Sequence, residues 1–293
     1  MEWFFTGLAF AFFNSITMLI NQRYKLDGHL ISAMRGVFVG IAYLPFLFFV
    51  KTPHSVSFWV MVLAEGALSA FFNARLCASS ARFGAASTSV INVLSIGFGM
   101  LLWWIVDTAR FFELVCAPLR IAGVGASVAV FVFGFAKLTR GAGEGKIDRA
   151  GVLFMLPAVV VFSVMLVIRK EIMDAGDFWA GAVCYGGVSI FLSGLINLCV
   201  FAVSNTRAEF CKKLSSPDVL EAGIFMALAS GCTILFGNLS SWRIPSPAYL
   251  SALSLLSPLF IFAYEKYCGR PVRFSLFSAV LMFAGLGGLL YFG

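Results

Sequence analysis

At 293 residues, 60% hydrophobic and 12% charged, with 33 phenylalanines, the chain is too apolar for a soluble domain, which is roughly one half apolar and one quarter charged. Its formal charge of +7 comes from basic residues set between apolar blocks. That pattern excludes a nucleic-acid footprint and fits the orienting charges of membrane loops.

Ten apolar blocks follow one another, and blocks near 20 residues long are what a bilayer core of about 30 Å asks of a helix. They run from Trp3 to Ile20, His29 to Val50, Ser57 to Ala78, Gly84 to Val106 and Leu119 to Leu138. After the charged, Gly-rich stretch GAGEGKIDRAG they resume at Gly151 to Ile168, Phe178 to Val203, Leu220 to Leu239, Ala248 to Tyr264 and Phe274 to Phe292. The first block has no basic leader and no small-residue cleavage site, so it reads as a retained helix and not a signal peptide. Most blocks lack the polar face that a soluble helical bundle needs. The expected fold is an all-α membrane protein of ten transmembrane helices.

The second half of the chain carries a degenerate copy of the first. A shift of about 161 lays Ser79, Ser80 and Arg82 on Ser240, Ser241 and Arg243, with Gly84 on Pro245, Leu94 on Leu255 and Gly97 on Pro258. The shift is about 148 near the start, where Ser15 and Met18 meet Ser163 and Leu166, and the loop at Ser204 to Asp218 accounts for the growth. Five helices per half is an odd number, so two such halves must lie in opposite orientations. The expected organisation is a repeat over 1–140, a linker over 141–150 and a second repeat over 151–293. Inverted repeats of this kind build carriers whose substrate site lies between the halves near the midplane.

Polar groups inside apolar spans are the candidates for chemistry. Glu65 stands about eight residues into the third span, roughly 12 Å deep at 1.5 Å per residue, among Ala64, Gly66 and Ala67. It is expected to bind a proton or a cationic part of a substrate, or else to pair with Arg75. Asn14 and Ser15 interrupt the first span, Asn73 the third, Asn197 the seventh and Asn238 the eighth. Amides and hydroxyls also tie helices together, which is the competing role for each. Asn92 with Ser95, and Ser254 with Ser257, sit three apart on repeat-related spans and are expected to line one cavity from two sides. Gly97, Gly99 and Pro258 are candidate helix breaks, Trp103, Trp104 and Trp242 candidate interface anchors, and Arg82 and Arg243 snorkelling anchors.

The seven cysteines include no CxxC pair, and His29 and His54 are the only histidines. No metal, cofactor or disulfide framework is expected. Without a P-loop, a paired-Asp motif or a nucleophile elbow, catalysis is not the leading expectation. A secondary transporter leads, with an intramembrane lipid-handling flippase or enzyme as the alternative.

The ninth-span pattern AYLSALSLLSPLFIFAYEKYCGRP resembles the EamA-like branch of the drug/metabolite transporter superfamily. Pro258, Glu265 and Gly285 match that branch's mid-span proline, following glutamate and Gly-rich last helix, and Arg35 its basic residue near the second span. The first half departs from it, with Gly97 in place of proline and Trp104 where a glutamate would align. The resemblance implies a ten-helix carrier of small organic metabolites in a cell membrane, a bacterial inner membrane by preference. Its partners would be a metabolite, membrane lipid, and a proton or counter-substrate, with no nucleic acid. The 21 basic residues divide 6 to 15 between the two sides, which places both termini outside the cytoplasm, whereas the resembled family more often has them inside.

Overall fold

A computed structural model describes residues 2–92, 95–140, 149–175, 177–244, 250, 253–254, 256–269 and 276–292. Among them there is no strand. The first half comprises α1 (Glu2–Tyr24), α2 (Gly28–Tyr43) with a 3-10 turn (Leu44–Phe49), α3 (Val56–Phe83), α4 (Ala85–Ile91), α5 (Ser95–Val106), α6 (Thr108–Val115) and α7 (Pro118–Arg140). The second comprises α8 (Arg149–Asp174), then α9 (Phe178–Val183), which runs through a π-helical segment (Cys184–Ser189) into α10 (Ile190–Val203), then α11 (Arg207–Leu214), α12 (Pro217–Arg243), α13 (Ser257–Tyr267) and α14 (Leu276–Phe292).

Local chemistry explains the boundaries. Asp27 caps α2, its Oδ1 accepting from the backbone N–H groups of His29 at 2.9 Å and Leu30 at 3.1 Å. Gly84 ends α3 at φ +87, a backbone state that glycine adopts without a side-chain penalty. Two short helices, α6 and α11, fall where the sequence suggested loops. The second of them was legible in its Thr206–Glu209 capping box, where each side chain bonds the other's backbone N–H.

Six helices are long and apolar enough to cross a membrane: Trp3–Tyr24, Gly28–Phe49, Val56–Phe83, Ala150–Asp174, Phe178–Val203 and Pro217–Arg243. The expected fifth and tenth spans correspond to α7 and α14, which contain shorter apolar stretches. Of the expected fourth span, the described residues form α4 and α5, with Leu94 outside them. The start of the ninth span, the linker at 141–148, Leu94, Leu255, Pro245, Arg270 and Arg273 lie outside the described residues.

The distribution of polarity is inverted relative to a water-soluble protein. Phe48, Phe49, Leu119 and Val203 are at least 84% exposed, whereas Glu65, Asn238, Ser79 and Ser163 are fully buried. An apolar exterior around a polar interior is the arrangement that hydrocarbon favours.

Packing follows a regular scheme. α7 pairs with α14 and α2 with α10, while α1 packs on α12 and α3 on α8. α2 also meets α12 as α3 meets α10, and α1 meets α13 as α8 meets α5. The α2–α10 crossing is made by glycine on glycine. A Cβ on Gly36 would stand 2.5 Å from the Gly194 Cα, so the two backbones touch there.

Candidate functional site

The polar centre is built mainly from α2, α3, α8 and the π-helical segment. On α3, Glu65, Ser69 and Asn73 recur every four residues and so share one face. Glu65 is fully buried, and neither carboxylate oxygen makes a hydrogen bond to a described residue. The groups that act on it are the Arg169 guanidinium of α8 and the Tyr185 hydroxyl. Arg169 is only 6% exposed and donates through Nη2 to the Tyr185 hydroxyl, with its guanidinium carbon 4.3 Å from the centre of that ring. Among the described residues its Nε and Nη1 have no hydrogen-bond partner.

Arg35 enters from α2 and donates through Nη1 to Asn73 Oδ1, while Asn73 Nδ2 donates to Ser69 Oγ at 2.8 Å. The Arg35 Nε is buried and unbonded. The two guanidiniums are close enough to act on each other electrostatically. Between them lies a cavity of about 40 Å³ with Asn14, Arg35, Asn73, Asn92, Arg169 and Tyr185 on its polar side and Phe10, Phe72 and Phe162 among its apolar walls. Tyr185 sits in the wider π-helical turn, and π-turns recur at functional sites in helical proteins.

Of the residues that the sequence singled out, Asn14, Asn73 and Asn92 line this cavity, and Glu65 stands behind its Arg169–Tyr185 wall. Ser15 and Ser257 are instead engaged between helices. Ser15 Oγ donates to the Ser257 carbonyl at 3.1 Å, and Ser257 Oγ to the Ala11 carbonyl at 2.9 Å. Ser95 Oγ donates to the Asn92 carbonyl at 2.6 Å. Ser254 is buried outside the lining, and so is Asn238, beside Gly237, which packs against Arg169 Nη1.

Several expectations are corrected. Arg75 does not pair with Glu65. It donates to the Phe154 carbonyl at 2.6 Å and lies between the Phe71 and Phe154 rings. Gly97 and Gly99 do not break a helix, since α5 runs through both. Pro258, by contrast, stands in the first turn of α13, directly after the turn at Leu256, where its missing N–H costs nothing. Trp103 is buried, at 8% exposure, and so is not an interface anchor.

Arg169 was missed because the dipeptide Arg169–Lys170 reads as the end of a span. The signal was the apolar pair beyond it: Ile172 and Met173 are fully buried, and α8 continues to Asp174. Tyr185 and Arg35 were not marked as site residues either, although Arg35 was noted as a family match. Among the described residues no group of three His, Cys, Asp or Glu side chains is arranged to hold a metal ion.

No protein-family model matches the chain, and no curated protein matches it. The fold has solved counterparts. One, described only as a crystal structure of a protein, superposes with a TM-score of 0.67 at 13% identity, over 99% of this chain and 94% of that one. Likeness at that identity concerns the fold alone.

Proposed function

We propose that the protein is a secondary transporter that moves a small organic metabolite across a cell membrane by alternating access. The carrying observation is the central cluster: two guanidiniums and one carboxylate, incompletely hydrogen-bonded, inside a bundle whose exterior is apolar. Charges kept at such depth are costly unless they are used. In this reading the cavity of Asn14, Arg35, Asn73, Asn92, Arg169 and Tyr185 is the substrate site.

Ten spans in two inverted halves, 1–140 and 151–293, form the rest of the proposal. It is supported by the exchange rule in the packing: numbering spans one to ten, each contact named above either maps onto itself or onto another when five is added. Setting aside Arg169, Arg35 and Arg75, which lie within the bundle, five basic residues still face thirteen. Both termini are then non-cytoplasmic, and a reporter fused after Gly293 should register a non-cytoplasmic C-terminus. Cytoplasmic reporter activity would overturn the charge argument.

The alternative, lipid handling, draws on a groove of about 560 Å³ between α2 and α12. Its lining, from Phe38 and Tyr43 to Ile224 and Leu235, carries no charged side chain for a head group, so the carrier reading is preferred. Counterflow in proteoliposomes separates the classes. A carrier accumulates labelled substrate transiently above equilibrium. A channel only equilibrates it, a flippase relocates labelled lipid, and an enzyme forms product in detergent.

A further inference from the structure

We infer that the ligand of the central cavity is a small organic monocarboxylate, its carboxylate held between Arg35 and Arg169 and its apolar body against Phe10, Phe72 and Phe162. As a statement about cargo this rests on the transporter reading; as a statement about binding it rests on the cavity alone.

The charge balance comes first. Arg35 and Arg169 supply two positive charges, no carboxylate is among the residues lining the cavity, and among the described residues Glu65 is the only acid that acts on these groups. Among the described residues one positive charge is left without a counter-ion in a buried site. A monocarboxylate neutralises it. A phosphate monoester, at about −1.5 to −2 near pH 7, would overcompensate it.

The donors come second. Arg35 Nε and Arg169 Nε and Nη1 are buried N–H groups with no acceptor among the described residues. Unmatched buried donors are costly, and charge-assisted bonds to a carboxylate would satisfy them. Asn73, itself part of the lining, already fixes Arg35 through Nη1, so that guanidinium is held in place before a ligand arrives.

Size and surroundings come third. The cavity of about 40 Å³ is a few times the roughly 10–15 Å³ that one water needs, which leaves room for a small head group such as a carboxylate. The body must enter as the aromatic walls part. Phe72 and Phe162 stack at 4.7 Å between ring centres, on α3 and α8, helices assigned to opposite halves of the carrier. Glu65 is a positioning residue in this scheme: behind the lining, its charge acts on Arg169 and Tyr185 while the site is empty.

Thermal-shift titration of the purified full chain tests this. The probes are pyruvate, lactate, phenylacetate, phenylpyruvate, phenyl phosphate, phenethylamine and 2-phenylethanol. At least one monocarboxylate should raise the melting midpoint, while the amine and the alcohol should not. The apparent affinity should fall at least tenfold in Arg35→Gln and in the double variant Arg169→Gln/Glu65→Gln, which removes both buried charges together and so keeps the fold. Overturning results are equal stabilisation by the amine or alcohol, preference for phenyl phosphate, a carboxylate shift that survives both variants, or no shift from any carboxylate. Carboxylate binding without counterflow supports the site and removes the transporter reading. Counterflow of the amine with no carboxylate binding keeps the transporter and removes this inference.

Discussion

Two buried polar clusters share α2, α3 and the span through α10, the second reaching α8 as well, and they are finished differently. Asn197 bonds outward in every direction: its Nδ2 donates to Ser32 Oγ, the Ala70 carbonyl and the Ser193 carbonyl, and its Oδ1 faces His29 Nδ1 at 2.8 Å. The Glu65–Arg169–Arg35 cluster leaves two carboxylate oxygens and three guanidinium N–H positions open. Burial alone therefore does not identify a site. A satisfied cluster fixes helices, and an unsatisfied one at the same depth is held ready for something else.

The comparison is broken or sharpened by substitution. The largest effect is expected from Arg169→Gln, which strands Glu65 without its counter-ion. Stability should fall by roughly 3–5 kcal/mol, and adding Glu65→Gln should restore most of it. Denaturation midpoints of the single and double variants in detergent check this, and a single variant as stable as the parent would dissolve the pairing. Next comes Gly36→Ala, whose Cβ would press on the Gly194 backbone and push α2 from α10 at a cost of about 1–3 kcal/mol. Asn197→Ala should cost about 1–2 kcal/mol, with transport per folded molecule unchanged. The smallest effect belongs to Ser257→Ala, below about 1 kcal/mol, because Ser15 keeps its bond to the Ser257 carbonyl. A collapse of uptake at normal stability would return Ser257 to the substrate site.

Glu65, Asn73 and Asn92 were legible in the sequence because an acid or amide within an apolar run contrasts with its neighbours. Arg169 was not, because a basic pair after an apolar run looks the same whether the helix stops or continues. What decides is tertiary: α9 lies against that turn so closely that a Cβ on Gly181 would be 3.0 Å from the Ile172 carbonyl. Ser15 and Ser257 show the converse. Hydroxyls at helical spacing look like a polar face, yet they return to backbone carbonyls one turn away or across a helix pair. The long helices were readable from apolar run length. A break in the fourth span was expected at Gly97 and Gly99, whereas α5 runs through both. Glycine marks where a helix can bend, not where it must.

The most direct measurement sets one variant from each cluster side by side in proteoliposomes, reading counterflow of the monocarboxylate that binds most tightly against the fraction of folded protein. The account predicts that Arg169→Gln/Glu65→Gln folds as the parent does and loses counterflow at least tenfold, whereas Asn197→Ala is less stable and transports at the parental rate per folded molecule. Parental counterflow in the double variant, or its loss in a fully folded Asn197→Ala protein, would contradict the assignment of the unsatisfied cluster as the working site.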